Sequence, residues 1–169
     1  MNFKLILAIL YCVPGLACAQ SDSLSMQNIS GLVQPFIGTW EEYTITGDDE
    51  VYLGTLESEL TFDDQVISQR FMSRDSTFSY LSFGYIHPSS GILEETFVFS
   101  NGSISEYQWL THGNEILLRR TGGTRALDHM QQLRFTNIRA DQYDVVEEYS
   151  YDRGKTWKFI ELTVIRRTN

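Results

Sequence analysis

The chain has 169 residues, with 22 acidic against 13 basic side chains and a formal net charge of −9. That balance repels phosphate backbones and anionic lipid at long range, which argues against a nucleic-acid partner. A domain of about 150 residues can bury close to 70% of its unfolded-chain surface, enough for one self-sufficient core.

Residues 1–19 read as a signal peptide. Lys4 precedes an apolar run from Leu5 to Val13, and Pro14-Gly15 and Ala17-Cys18-Ala19 follow. These are the basic region, the short apolar region and the A-x-A cleavage site, with cutting expected after Ala19. The run is about nine residues, less than half of the roughly twenty that cross a bilayer, so no membrane span is expected. Lipid attachment at Cys18 is the alternative, although Gly15 fits poorly where an aliphatic residue is expected. The expectation is a secreted or periplasmic protein with one domain, 20–169. Cys12 and Cys18 both lie in the leader, so the mature domain would have no disulfide, thiolate nucleophile or thiolate metal site. Removing Lys4 leaves 12 basic against 22 acidic residues, a net charge of −10.

Residues 20–30 are polar, and Ile29 to Phe36 suit one short helix before Gly38. From there hydrophobicity alternates with period two between closely spaced turn residues. The expected strands are 38–46, 52–62, 66–74, 77–87, 92–99, 104–111, 115–121, 127–138, 142–151 and 156–167. Asn101-Gly102 is the strongest hairpin signal among the turns, because a type I′ turn needs positive φ at both positions. No later stretch has helical periodicity long enough for a crossover helix, so the sheet is expected to be antiparallel. About ten hairpin-linked strands expose two edges unless they close, so the predicted fold is an all-β, up-and-down barrel. A β-sandwich is the alternative, but its Greek-key links are usually longer.

On the last strand Ile160, Leu162 and Val164 form the apolar face, taken as inward; Arg166 shares their parity. First and last strands of a closed barrel are neighbours, so Arg166 is expected to lie over the Trp40 ring as a cation–π contact. Phe97, Phe99, Tyr107 and Trp109 cluster on odd positions of adjacent strands and are candidate cavity-lining residues. Core packing is the commoner explanation for such a cluster. Arg119 and Arg134 are candidates to hold a carboxylate head group, against the commoner outcome of solvated strand charges.

Ser150-Tyr151-Asp152-Arg153-Gly154-Lys155-Thr156-Trp157 fits the S-x-D-x-G-x-T-W hairpin seen in sialidase propellers. Asp152 caps turn amides, Gly154 supplies positive φ and Trp157 packs under the turn. A single copy marks a hairpin rather than a glycosidase. With Gly38-Thr39-Trp40 at the start and Arg166 at the end, the chain resembles a family of small secreted bacterial proteins of unknown function. That resemblance implies a lipocalin-like, calycin-type barrel and no assigned activity. Haem-binding barrels of nitrobindin type share the shape, but Glu41-Glu42-Tyr43 replaces their glycine-rich stretch.

Catalytic motifs are not found. In the pairs Glu41-Glu42, Glu94-Glu95 and Glu147-Glu148, neighbouring residues point to opposite faces, so no pair is a carboxylate dyad. His87, His112 and His129 lack metal-ligand spacing. No catalytic residue, metal or cofactor is assigned. The leading expectation is binding of a small, partly apolar or amphipathic ligand inside the barrel. A structural or protein-interaction module with a filled barrel comes second, and a cavity-based enzyme third.

Overall fold

The computed structural model describes residues 29–112 and 115–168. The expected leader and its cleavage site lie outside the described residues. Helix α1 (Ile29–Val33) runs directly into a 3-10 turn (Gln34–Phe36), over the span expected to be helical. Ten strands follow: β1 (Gly38–Thr46), β2 (Asp49–Thr61), β3 (Val66–Ser73), β4 (Ser79–Ile86), β5 (Leu93–Phe99), β6 (Ile104–His112), β7 (Glu115–Gly123), β8 (Met130–Thr136), β9 (Gln142–Ser150) and β10 (Lys158–Arg167). Each pairs antiparallel with its chain neighbours, and β1 pairs with β10 to close the barrel. Closure satisfies both edges that a ten-strand open sheet would leave unpaired. The architecture is consistent with a calycin-type barrel.

The Asn101-Gly102 turn differs from expectation. Gly102 has φ 80°, but Asn101 is not among the positive-φ residues, so the turn is not type I′. The Phe99 amide instead bonds the Ser103 carbonyl at 2.9 Å, closing a three-residue loop with glycine at the bulge position. The Asn101 carboxamide oxygen accepts from the Ser103 amide at 2.9 Å and from its hydroxyl at 2.7 Å, which favours this form.

The helical segment stoppers one end of the barrel. Phe36, 1% exposed, meets Tyr143, Phe135 and Trp109 edge-on at 5.0, 5.2 and 5.8 Å. The Trp40 indole N–H donates to the Phe36 carbonyl at 2.8 Å, tying β1 to the plug.

An arginine does cover Trp40, but it is Arg167, not Arg166. Its guanidinium lies 4.2 Å from the Trp40 ring centre, and its Nε donates to the Ala140 carbonyl at 2.8 Å. Gly38 makes room, since a side chain there would collide with that guanidinium. The expected parity of β10 is reversed: Glu161, Thr163 and Ile165 face the interior. A bulge between Phe159 and Glu161 accompanies this register, and Ile160 is 49% exposed. Even positions look apolar because the outer face is packed too, with Val164 buried between Tyr43 and Asp144 of the flanking strands. Arg166 therefore points outward, 5.2 Å from the Tyr43 ring centre and bonded twice to Glu50 at 2.6 Å.

The Ser150–Trp157 hairpin has the geometry its residues imply. The Asp152 carboxylate accepts from the Thr156 amide at 2.9 Å, the Thr156 hydroxyl at 2.7 Å and the Ser150 hydroxyl at 2.8 Å. The Gly154 amide, at φ 81°, donates to the Ser150 hydroxyl at 2.8 Å. These donors hold the Asp152 pKa down, to about 2.

Candidate functional site: an acidic, aromatic-walled cavity

Above the Phe36 plug the barrel is not filled. A cavity of about 530 Å³ remains, within the usual size of small-molecule sites. Its walls are mainly aromatic, from Phe71, Tyr80, Phe97, Trp109, Phe135 and Tyr143. Phe78, 40% exposed, stands on the rim at the end opposite the helix.

The polar lining includes four carboxyl groups, Glu42, Glu95, Glu147 and Glu161, and, among the described residues, no lysine, arginine or histidine. Glu95 is 1% exposed; its oxygens meet the Ser82 hydroxyl at 2.6 Å and the Trp109 indole N–H at 2.9 Å. Burial raises its pKa to about 7, against the lowering effect of those two contacts. The Ser82 hydroxyl also lies 3.2 Å from Gln69 Oε1. One hydroxyl proton cannot serve two acceptors, so a neutral Glu95 donating to Ser82 lets both bonds form.

Glu42 has no hydrogen-bond or salt-bridge partner among the described residues. Burial alone pushes its pKa to about 8. It stands beside the bulge at Glu42/Tyr43, where β1 and β2 change register. The extra residue there is Leu53 of β2, which the bulge turns into the cavity lining beside Glu42. Nearer the mouth, Glu147 and Glu161 are directly opposite one another on β9 and β10. Glu147 accepts from Gln131 at 2.7 Å and from the Tyr149 hydroxyl at 2.8 Å, while Glu161 accepts from Thr44 at 2.6 Å. Both acids are hydrogen-bonded, and no cation neutralises either.

The chain matches no family model and no curated protein. The site is therefore read from its own geometry.

Of the residues expected to line a cavity, Phe97 and Trp109 do so. Phe99 and Tyr107 instead line a neighbouring space of about 420 Å³, with Arg120, His129 and Tyr149. Arg119 and Arg134 are a correction: neither enters the cavity. On β7 and β8 the inner face carries Leu118, Leu133 and Phe135, which puts residues 119 and 134 on the outside. There Arg134 bonds Glu148 at 3.0 and 3.2 Å and Glu115 at 3.2 Å. Arg119 bonds Gln132 at 3.2 Å and lies 5.5 Å from the Trp157 ring centre, joining the hairpin to the wall. The three histidines lie apart, and among the described residues no three His, Cys, Asp or Glu converge as metal ligands.

The residues missed from sequence are the acids. Within each doubled pair the two carboxyls do diverge, but the inward members of separate pairs, Glu42, Glu95 and Glu147, share one cavity. Applying the alternation across strands, rather than within each pair, would have found them.

Proposed function

We propose that the barrel binds a small, partly apolar ligand in the cavity above Phe36. The observation that carries this reading is an aromatic-walled space of about 530 Å³ next to Glu42, a carboxyl without a partner among the described residues. A domain selected for stability alone would fill that space and pair or replace that acid. In this reading the protein is exported, as residues 1–19 suggest, and belongs with the lipocalin-like secreted proteins it resembles. No bond-making step is assigned to the site, since a binding role accounts for its features.

The test is native mass spectrometry of protein purified gently from its own cells, paired with tryptophan fluorescence. A reproducible extra mass is expected, together with a fluorescence change on ligand addition that Trp109→Phe removes. A bare monomer whose Trp109 emission responds to no apolar probe would overturn the reading.

A second reading, a protein-interaction module, draws on one observation. Leu81, Phe83, Tyr85 and Val98 are 37–45% exposed on the outer faces of β4 and β5. Light scattering and pull-down would support it by showing a stable complex that Leu81→Glu dissolves.

A further inference from the structure

The binding reading leaves the head group of the ligand open, and the inner wall narrows it. We infer that the ligand carries a protonated amine or amidine on an apolar, ring-bearing body, with its cation placed along the β1–β10–β9 wall. This rests on the binding reading and adds a charge requirement to it.

Three observations combine. First, Glu147 and Glu161 are cross-strand partners on the inner face, two carboxyl groups side by side with no salt bridge to either among the described residues. Second, Glu42 sits deeper on the adjoining strand without a partner among the described residues, and Tyr143, 1% exposed, lines the same space. The Tyr143 ring lies beside Glu42 in this lining and adds no positive charge to it. Third, six aromatic rings, Phe71, Tyr80, Phe97, Trp109, Phe135 and Tyr143, line the cavity, and a ring's negative face attracts cations within about 6 Å.

An anionic ligand would meet the opposite of what it needs. Among the described residues no basic side chain lines the cavity, and the chain as a whole carries net negative charge. A bare metal ion is also poorly served, because the carboxyls are not gathered into a three-ligand group among the described residues. An organic cation suits carboxyls spread along a wall, with its charge at the acids and its body against the rings. The groups facing Glu42 across the cavity are Tyr80 on β4, Glu95 on β5, Tyr143 and Glu147 on β9, and Glu161 on β10. All are acids, so none supplies the missing positive charge.

Glu42 is neutral in the empty cavity below about pH 8. Binding a cation there releases its proton to solvent, so affinity is linked to pH. The experiment uses isothermal titration with three probes of one shape: 2-(2-naphthyl)ethylamine, 2-(2-naphthyl)ethanol and 2-naphthylacetate. The amine is expected to bind at least about tenfold tighter than the alcohol, with the carboxylate weaker than both. Its affinity should rise up to about tenfold between pH 6 and pH 7, with proton release visible as a buffer-dependent heat. Glu42→Gln should flatten that pH dependence while leaving alcohol binding within about twofold, and Glu161→Gln should lower amine affinity alone. Binding of all three probes without preference for the amine would overturn the cation assignment and leave the binding cavity standing. If none of them binds, the cavity reading itself falls. The pH series on the unaltered protein decides the matter even if a variant fails to fold.

Discussion

Two glutamates in one stretch of barrel wall meet opposite surroundings. Glu148 on the outer face of β9 is largely buried, and burial raises its pKa. Hydrogen bonds from Arg134 and Gln132, with the Arg134 charge, more than offset that, so the net shift is downward. Glu42 on the inner face of β1 has burial without any offset, and its pKa rises to about 8. The outer wall thus spends its arginines on structure: Arg134 joins Glu148 and Glu115, and Arg119 joins Gln132 and Trp157. The inner wall carries Glu42 without any such offset. Groups that destabilise a fold and line a cavity are what a binding site looks like before its ligand arrives.

The largest expected effect comes from Glu42→Gln and would break the contrast if absent. A carboxyl whose pKa is raised on folding holds a proton that the unfolded chain has released. Wild-type stability therefore falls as pH climbs from about 4.5 to about 8 and does not recover above it. At about 1.4 kcal/mol per pH unit, the decline attributable to this half-buried group has an upper bound on the order of 5 kcal/mol. Urea unfolding should find the variant close to wild type at pH 5 and clearly more stable at pH 9. Parallel stability curves would mean that Glu42 is solvated or paired.

Removing Arg134 tests the other half. Glu148, with 12% of its side chain exposed, would lose its cation, and Arg134→Ala should cost about 2 kcal/mol near neutral pH. A smaller loss, a few tenths of a kcal/mol, would class the outer network with ordinary surface pairs.

A closer comparison separates adjacent arginines. Arg167→Ala removes the cation over Trp40 and a bond to a backbone carbonyl, and should cost roughly 1–2 kcal/mol in a urea melt. Arg166→Ala removes an exposed pair with Glu50 and should cost less than about 0.5 kcal/mol. Equal losses would contradict the observed parity of β10.

The smallest effect belongs to the hairpin. Asp152→Ala should lower the melting temperature by a few degrees at pH 7. The Asp152 pKa is depressed to about 2, so its contribution is complete above its unfolded value near 3.8 and fades as pH falls through about 2. A thermal scan at pH 7 and pH 2 reads this directly: the variant and the wild type should converge in acid.

Most of the architecture was legible from period-two alternation and turn residues, because a strand's two faces alternate whatever it packs against. Parity failed on β10 for a local reason. Leu162 and Val164 are apolar because the outer face at β1 and β9 is itself packed, and a hydrophobic count cannot tell an inner face from a covered outer one. The same limit left Arg119 and Arg134 open as inward candidates beside the commoner outcome of outer strand charges; their partners Glu115, Gln132 and Glu148 share the outer parity. The acidic wall was hidden for a different reason. Glu42, Glu95 and Glu147 are far apart in sequence and meet only once the barrel closes, which depends on register rather than on any one segment.

The most direct test of the contrast between walls is carbon-detected NMR of protein labelled at the glutamate carboxyl carbons, with Glu42 assigned from the Glu42→Gln variant. In the free protein Glu42 should titrate near pH 8, and saturating 2-(2-naphthyl)ethylamine should move that midpoint down by more than a full pH unit. A midpoint near 4.5 in the free protein, or one that the amine leaves unmoved, would contradict the account.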